Sequence, residues 1–99
     1  MEIKKTQNGT ELVLAVSGRL DTNTSRQLEA ELKISVSDIT SLVFDFAELE
    51  YISSAGLRVL VEAQMVMNDQ GTMVIRNTNK SVMDVFEITG FTEIFTIEE

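Results

Sequence analysis

The alternation of apolar and polar positions changes period several times along the chain, and each change predicts an element. Leu12-Val13-Leu14-Ala15-Val16 is a continuous apolar run, the pattern of a strand covered on both faces. Glu2 to Thr6 is a weaker strand candidate, and Asn8-Gly9 between the two is the dipeptide of a tight hairpin. Gly18-Arg19-Leu20-Asp21-Thr22-Asn23 breaks the run and predicts a loop. Thr24 with Gln27 three residues on fits a capping box. Leu28, Leu32 and Val36 at four-residue spacing then give the following helix a core-facing stripe, ending near residues 35–38. Leu42 to Phe46 reads as a buried strand between two helices, hence parallel to a neighbour, and Ala47-Glu48-Leu49-Glu50 as a loop.

A second helix is predicted from about Ser54 to Asp69. Leu57, Leu60, Val61, Ala63 and Met67 form its apolar face, and Arg58, Glu62 and Asp69 its wet side. Met65 and Met67 read as core or rim, and Gly71 as the residue just past the helix end. Thr72 to Arg76 is another strand. Asn77-Thr78-Asn79 turns the chain, with Asn79 or Thr78 capping a third helix that carries Val82, Val85, Phe86 and Thr89 and stops at Gly90. Phe91 to Ile97 is a short terminal segment in which Ile94, Phe95 and Ile97 are expected to pack. The order is strand, strand, helix, strand, helix, strand, helix, short strand. It predicts one α/β domain over residues 1–99, with a mixed sheet of four to five strands and at least one covered face.

Composition narrows the function classes. The chain has 99 residues, 43% hydrophobic and 24% charged, which suits a single globular domain. No apolar run approaches the ~20 residues of a membrane span. Met-Glu-Ile-Lys-Lys lacks the apolar stretch of a signal peptide, and there is no cysteine. The cytoplasm is therefore the expected location. Sixteen acidic against eight basic side chains give a net charge of −8, and the basic residues are scattered. That argues against nucleic acid and anionic membranes as direct partners. Histidine is absent, which excludes a Ser-His-Asp arrangement and His-Cys zinc sites. Ile52-Ser53-Ser54-Ala55-Gly56 matches only the second half of the hydrolase nucleophile motif, without its first glycine or any base. No enzyme, cofactor or metal is expected.

Two adjacent hydroxyls, Ser53 and Ser54, fall where a strand region gives way to a helix. The first turn of a helix carries unpaired N–H groups and partial positive charge. Serine there is a favoured cap, worth about 1 kcal/mol over alanine. A hydroxyl at that place is also a candidate phosphate acceptor, because the added anion is tolerated by the helix end and alters a local surface. Position leaves both readings open.

Gly18-Arg-Leu-Asp21, Leu42-Val-Phe-Asp-Phe46, Tyr51-Ile-Ser-Ser-Ala-Gly-Leu-Arg-Val-Leu60 and Thr89-Gly-Phe-Thr-Glu-Ile-Phe95, in this order and spacing, resemble the STAS family. These are the sulfate transporter and anti-sigma factor antagonist domains. A free-standing domain of this length resembles the bacterial antagonists. The resemblance implies a sheet with three to four helices packed mainly on one face. It also implies a phospho-switch: the unphosphorylated antagonist binds an anti-sigma factor and releases the sigma factor. The anti-sigma factor, a serine kinase, phosphorylates the antagonist, and a metal-dependent serine phosphatase resets it. Aligned on Gly56-Leu57, the acceptor is Ser54, with Ser53 as the substitute acceptor in the place of the family's Asp. Asp21 matches an acidic loop position beside the phosphosite. The implied partner surface comprises Asp21, Thr22, Ser53, Ala55, Gly56 and Arg58, on a monomer or weak dimer. The alternatives are a non-switching scaffold subunit of a signalling or lipid-transport complex, in which Ser54 only caps, and nucleotide binding near Asp21 and Ser54. No Gly-rich phosphate loop supports the last.

Overall fold

The computed structural model describes residues 1–98. β1 (Glu2–Asn8) and β2 (Glu11–Leu20) form an antiparallel hairpin over Gly9, whose φ of +61° suits the glycine of the Asn-Gly turn. α1 (Ser25–Ser35), β3 (Ser41–Asp45), β4 (Leu49–Ile52), α2 (Ser54–Gln70), β5 (Thr72–Arg76), α3 (Lys80–Thr89), a short 3-10 turn (Phe91–Glu93) and β6 (Thr96–Glu98) follow. The main sheet runs β1-β2-β3-β5-β6, with β4 pairing β2, and every pairing except the hairpin is parallel. This is the mixed α/β sheet expected, with one strand more than the four to five predicted.

The extra strand is β4, placed where a loop was expected. β2 is ten residues long and serves two partners in turn. Its first half, Glu11 to Ala15, pairs β3; its last residues, Gly18 to Leu20, pair β4. The handover falls between Ala15 and Gly18, and the β4 pairing then carries an irregularity between Gly18 and Arg19, where Gly18 adopts a φ of +87°. Leu49 and Ile52 at the two ends of β4 are buried, while Glu50 and Tyr51 between them are exposed.

The helices share one apolar cluster with one face of the sheet. Leu12, Leu14 and Val16 of β2, Leu42 and Phe44 of β3, and Met73 and Ile75 of β5 face Leu28, Leu32, Leu57, Leu60, Met67, Val82 and Phe86 from the helices. β2 is therefore covered on one face, not both: Val13 and Ala15 are only half-buried on the other. Three further expectations are corrected. Thr24 and Gln27 form no capping box; Thr24 is already helical in backbone and its side chain caps nothing. Met65 is exposed, not core or rim, and Ile94 is exposed where packing was expected. Gly71 does stand just past the end of α2, its N–H donating to the Met67 carbonyl at 2.7 Å, and glycine is required there because a Cβ would lie 1.9 Å from the Thr40 carbonyl oxygen. Asn79 does cap α3, accepting from the Val82 N–H at 2.8 Å, and Gly90 does end it in the left-handed region.

Candidate functional site

Parallel pairing of β2 with β4 brings two distant stretches together. Leu20 lies opposite Ile52, and the Ser53 N–H donates to the Leu20 carbonyl at 2.8 Å. Asp21 and Ser53 therefore leave the sheet side by side, one into the loop before α1, the other into α2. Leu20 and Ile52 are both buried beneath them. Gly56 rests on that pair: a Cβ there would lie 2.7 Å from Leu20 Cγ and 3.0 Å from Ile52 Cγ1. The glycine lets the first turn of α2 sit down on the strand ends. Gly56 itself is buried.

The two serines divide the roles left open by the sequence. Ser53 has extended backbone and its Oγ accepts from the Gly56 N–H at 3.2 Å, so Ser53 is the cap of α2. Ser54 is the first residue of the helix and is exposed. Its hydroxyl has no hydrogen-bond partner among the described residues. A free hydroxyl at the positive end of a 17-residue helix is thus presented to solvent.

The neighbouring loop is held by Asp21. Its Oδ1 accepts from the Asn23 and Thr24 N–H groups, both at 3.0 Å, and the Thr24 hydroxyl donates to the Arg19 carbonyl at 2.7 Å. The Asp21 N–H donates back to Thr24 Oγ1 at 2.8 Å. These contacts replace the Thr24–Gln27 capping box. The Thr24 N–H holds the Asp21 carboxyl below its ordinary value; desolvation opposes it, and the Thr24 hydroxyl, the Asn23 N–H and the Arg19 charge add to the lowering. Asp21 is therefore an anion at neutral pH, fixed next to the start of α2.

Of the other expected residues, Thr22 and Arg58 are exposed and Ala55 is half-buried. Arg58 borders two clefts. One, about 90 Å³, runs toward Thr22, Arg26 and Ala55; the other contains Ser54, Leu57, Val61 and Phe91. The first is well below the roughly 300 Å³ of ordinary small-molecule sites; the second, which holds Ser54, is a solvent-open, mostly apolar groove of about 370 Å³. Sequence reading missed one feature beside the site. The Arg19 guanidinium lies 4.1 Å above the Tyr51 ring, a cation–π pair across β2 and β4. The signal for it is a register that exists only once β4 is recognised as a strand. Among the described residues no three acidic, His or Cys side chains converge as a metal site, and no helix is long and apolar enough to cross a membrane.

Comparison with known proteins agrees with this geometry. A sequence profile of the STAS domain matches residues 2–99. BtrV of Bordetella bronchiseptica, named an anti-sigma factor antagonist, is 40% identical over 88 residues, spanning 87% of this chain and 76% of BtrV. An anti-sigma factor antagonist from Mycobacterium paratuberculosis superposes with a TM-score of 0.88 at 22% identity, over 97% of this chain and 83% of that one. The antagonist SpoIIAA superposes in its unphosphorylated form with a TM-score of 0.85 at 17% identity, over 99% of this chain and 89% of that one. Its phosphorylated form, from Bacillus, gives 0.77 at 16% identity, over 99% and 92%. With a profile match over nearly its whole length and a close relative in BtrV, the chain belongs to the STAS domain family, whose anti-sigma factor antagonists it resembles in both sequence and fold.

Proposed function

We propose that this chain is an anti-sigma factor antagonist switched by phosphorylation of Ser54. The observation that carries it is the division of labour at the start of α2: Ser53 takes the cap, so the exposed Ser54 hydroxyl is free to react. BtrV is named an antagonist, and SpoIIAA, of the same fold, exists in a phosphorylated form. Both support the reading.

The chain has no histidine and no nucleotide loop, so the partner supplies ATP, magnesium and the base. The Ser54 Oγ attacks the γ-phosphorus, the bond to the β-phosphate oxygen breaks, ADP leaves, and the hydroxyl proton passes to the kinase base. A metal-dependent phosphatase hydrolyses the ester back to serine. The phosphate brings about −1.5 to −2 charge to a surface that already holds the Asp21 anion. At an effective dielectric of about 20, a unit charge 4 Å from another of like sign costs roughly 4 kcal/mol before screening. The unphosphorylated face (Asp21, Thr22, Ser53, Ala55, Arg58) docks the anti-sigma factor, and the phosphate blocks docking by local repulsion without altering the fold. In the scaffold alternative Ser54 serves as the cap, a role that Ser53 holds here.

The test is incubation with the cognate anti-sigma kinase and ATP, followed by intact mass. One phosphate is expected on the wild-type chain and on Ser53→Ala, and none on Ser54→Ala. A chain that stays unmodified, or Ser54→Ala that still gains phosphate, refutes the assignment.

A further inference from the structure

Arg58 stands four residues after Ser54 on α2, so the two side chains lie on one face about a turn apart. Helical side chains lean toward the helix N-terminus, which tilts the Arg58 stem back toward Ser54. The guanidinium has no ion pair among the described residues. It borders the cleft containing Ser54 and the neighbouring cleft containing Arg26 and Glu29.

The charged groups around it set up a choice. Glu62, four residues further along α2, is within helical reach, but a base preceding an acid is the weaker order for such pairs; an acid preceding a base is the stronger. Phosphate on Ser54 creates the stronger order. The first turn of α2 holds no acidic residue to compete. Glu29 and Asp21 lie on the α1 side, and Asp21 Oδ1 is already engaged by the backbone of its own loop.

We propose that Arg58 is the internal counter-ion of phosphorylated Ser54 and is thereby withdrawn from the partner surface. This rests on Ser54 being the acceptor. The modification then changes the docking face twice: it adds an anion, and it removes a free cation that an acidic group of the partner would otherwise meet. It also gives the phosphate a ligand within the domain, so the modified surface is a defined one.

Phosphoserine inserted at position 54 by genetic encoding needs no kinase, so the test is separate from whether any anti-sigma factor phosphorylates the chain. Failure of Ser54 as acceptor appears as missing mass in the kinase experiment; failure of the Arg58 pairing appears only here. The readout is the phosphorus NMR shift of the phosphoserine followed through its second ionisation. Arg58→Gln is expected to move the midpoint to higher pH by about 0.3, the size of an exposed helical ion pair. Arg58→Lys is expected to restore at least half of that shift, and Arg26→Gln to move the midpoint less than Arg58→Gln. A midpoint unchanged in Arg58→Gln, moved as far by Arg26→Gln, or not restored by Arg58→Lys overturns the pairing.

Discussion

Removing the Ser53 hydroxyl leaves the Gly56 N–H without its acceptor at the start of α2. Ser53→Ala is expected to cost about 1 kcal/mol, a fall of roughly 4–8 °C in melting temperature for a domain of this size. Ser54→Ala, which removes no hydrogen bond, should melt within about 2 °C of wild type, since exposed substitutions cost little. Thermal melts of the two variants check the assignment of cap and acceptor, and the reverse ranking would contradict it. Asp21 makes a second residue-scale prediction. Its folded pKa is lowered, so its contribution is present above the unfolded value of about 3.9 and is lost as pH falls through the folded pKa. The Asn23 and Thr24 amide signals are expected to shift together on that acid titration, and Asp21→Ala to abolish the shift. Amides that titrate unchanged in Asp21→Ala would show that another group is responsible. At this scale the sequence pointed to the serine pair but could not divide it. A cap is decided by one backbone angle and one N–H direction, and neither is encoded in the residue type.

The elements were legible where a period persists. β2, β3 and β5 each carry a compact apolar body, and α2 and α3 carry their stripes over several turns. β4 was not. It has four residues, its inward side chains are Leu49 and Ile52, and its sheet partner is the far end of β2. Its strand character comes from a long-range edge that no local pattern announces. Thr24 misled for a related reason: its spacing to Gln27 mimics a capping box, while Asp21, three residues earlier, holds the turn instead. Gly71 and Gly56 show what spacing hides. A Cβ at Gly71 meets the rigid Thr40 carbonyl, whereas one at Gly56 meets the flexible side chains of Leu20 and Ile52. Gly71→Ala should therefore destabilise by about 3 kcal/mol or more and Gly56→Ala by about 1–3 kcal/mol, on the scale of overpacked interiors. Denaturant midpoints measure both, and a milder effect at Gly71 would contradict the close approach.

Across the whole molecule, the sheet and its one-sided layer of helices serve to hold two loops at a single level. The strand pair that ends at Leu20 and Ile52 fixes Asp21 beside Ser53, and the buried Gly56 seats α2 upon it. This juxtaposition joins positions more than thirty residues apart and depends on β4, so residue spacing offered candidate members of the site without showing why they meet. The net charge of −8 adds a general bias: a cationic or mixed-charge partner is favoured, and any further anion at the proposed docking face counts against binding. The central claim is that a single phosphate at the tip of α2 ends that binding without unfolding the domain. Its most direct test is titration calorimetry of the cognate anti-sigma factor with the wild-type chain and with the chain carrying encoded phosphoserine at position 54. Expected is an affinity at least about tenfold weaker for the phosphorylated chain, equivalent to about 1.4 kcal/mol, with an unchanged far-UV spectrum; equal affinities, or tighter binding of the phosphorylated form, would contradict it.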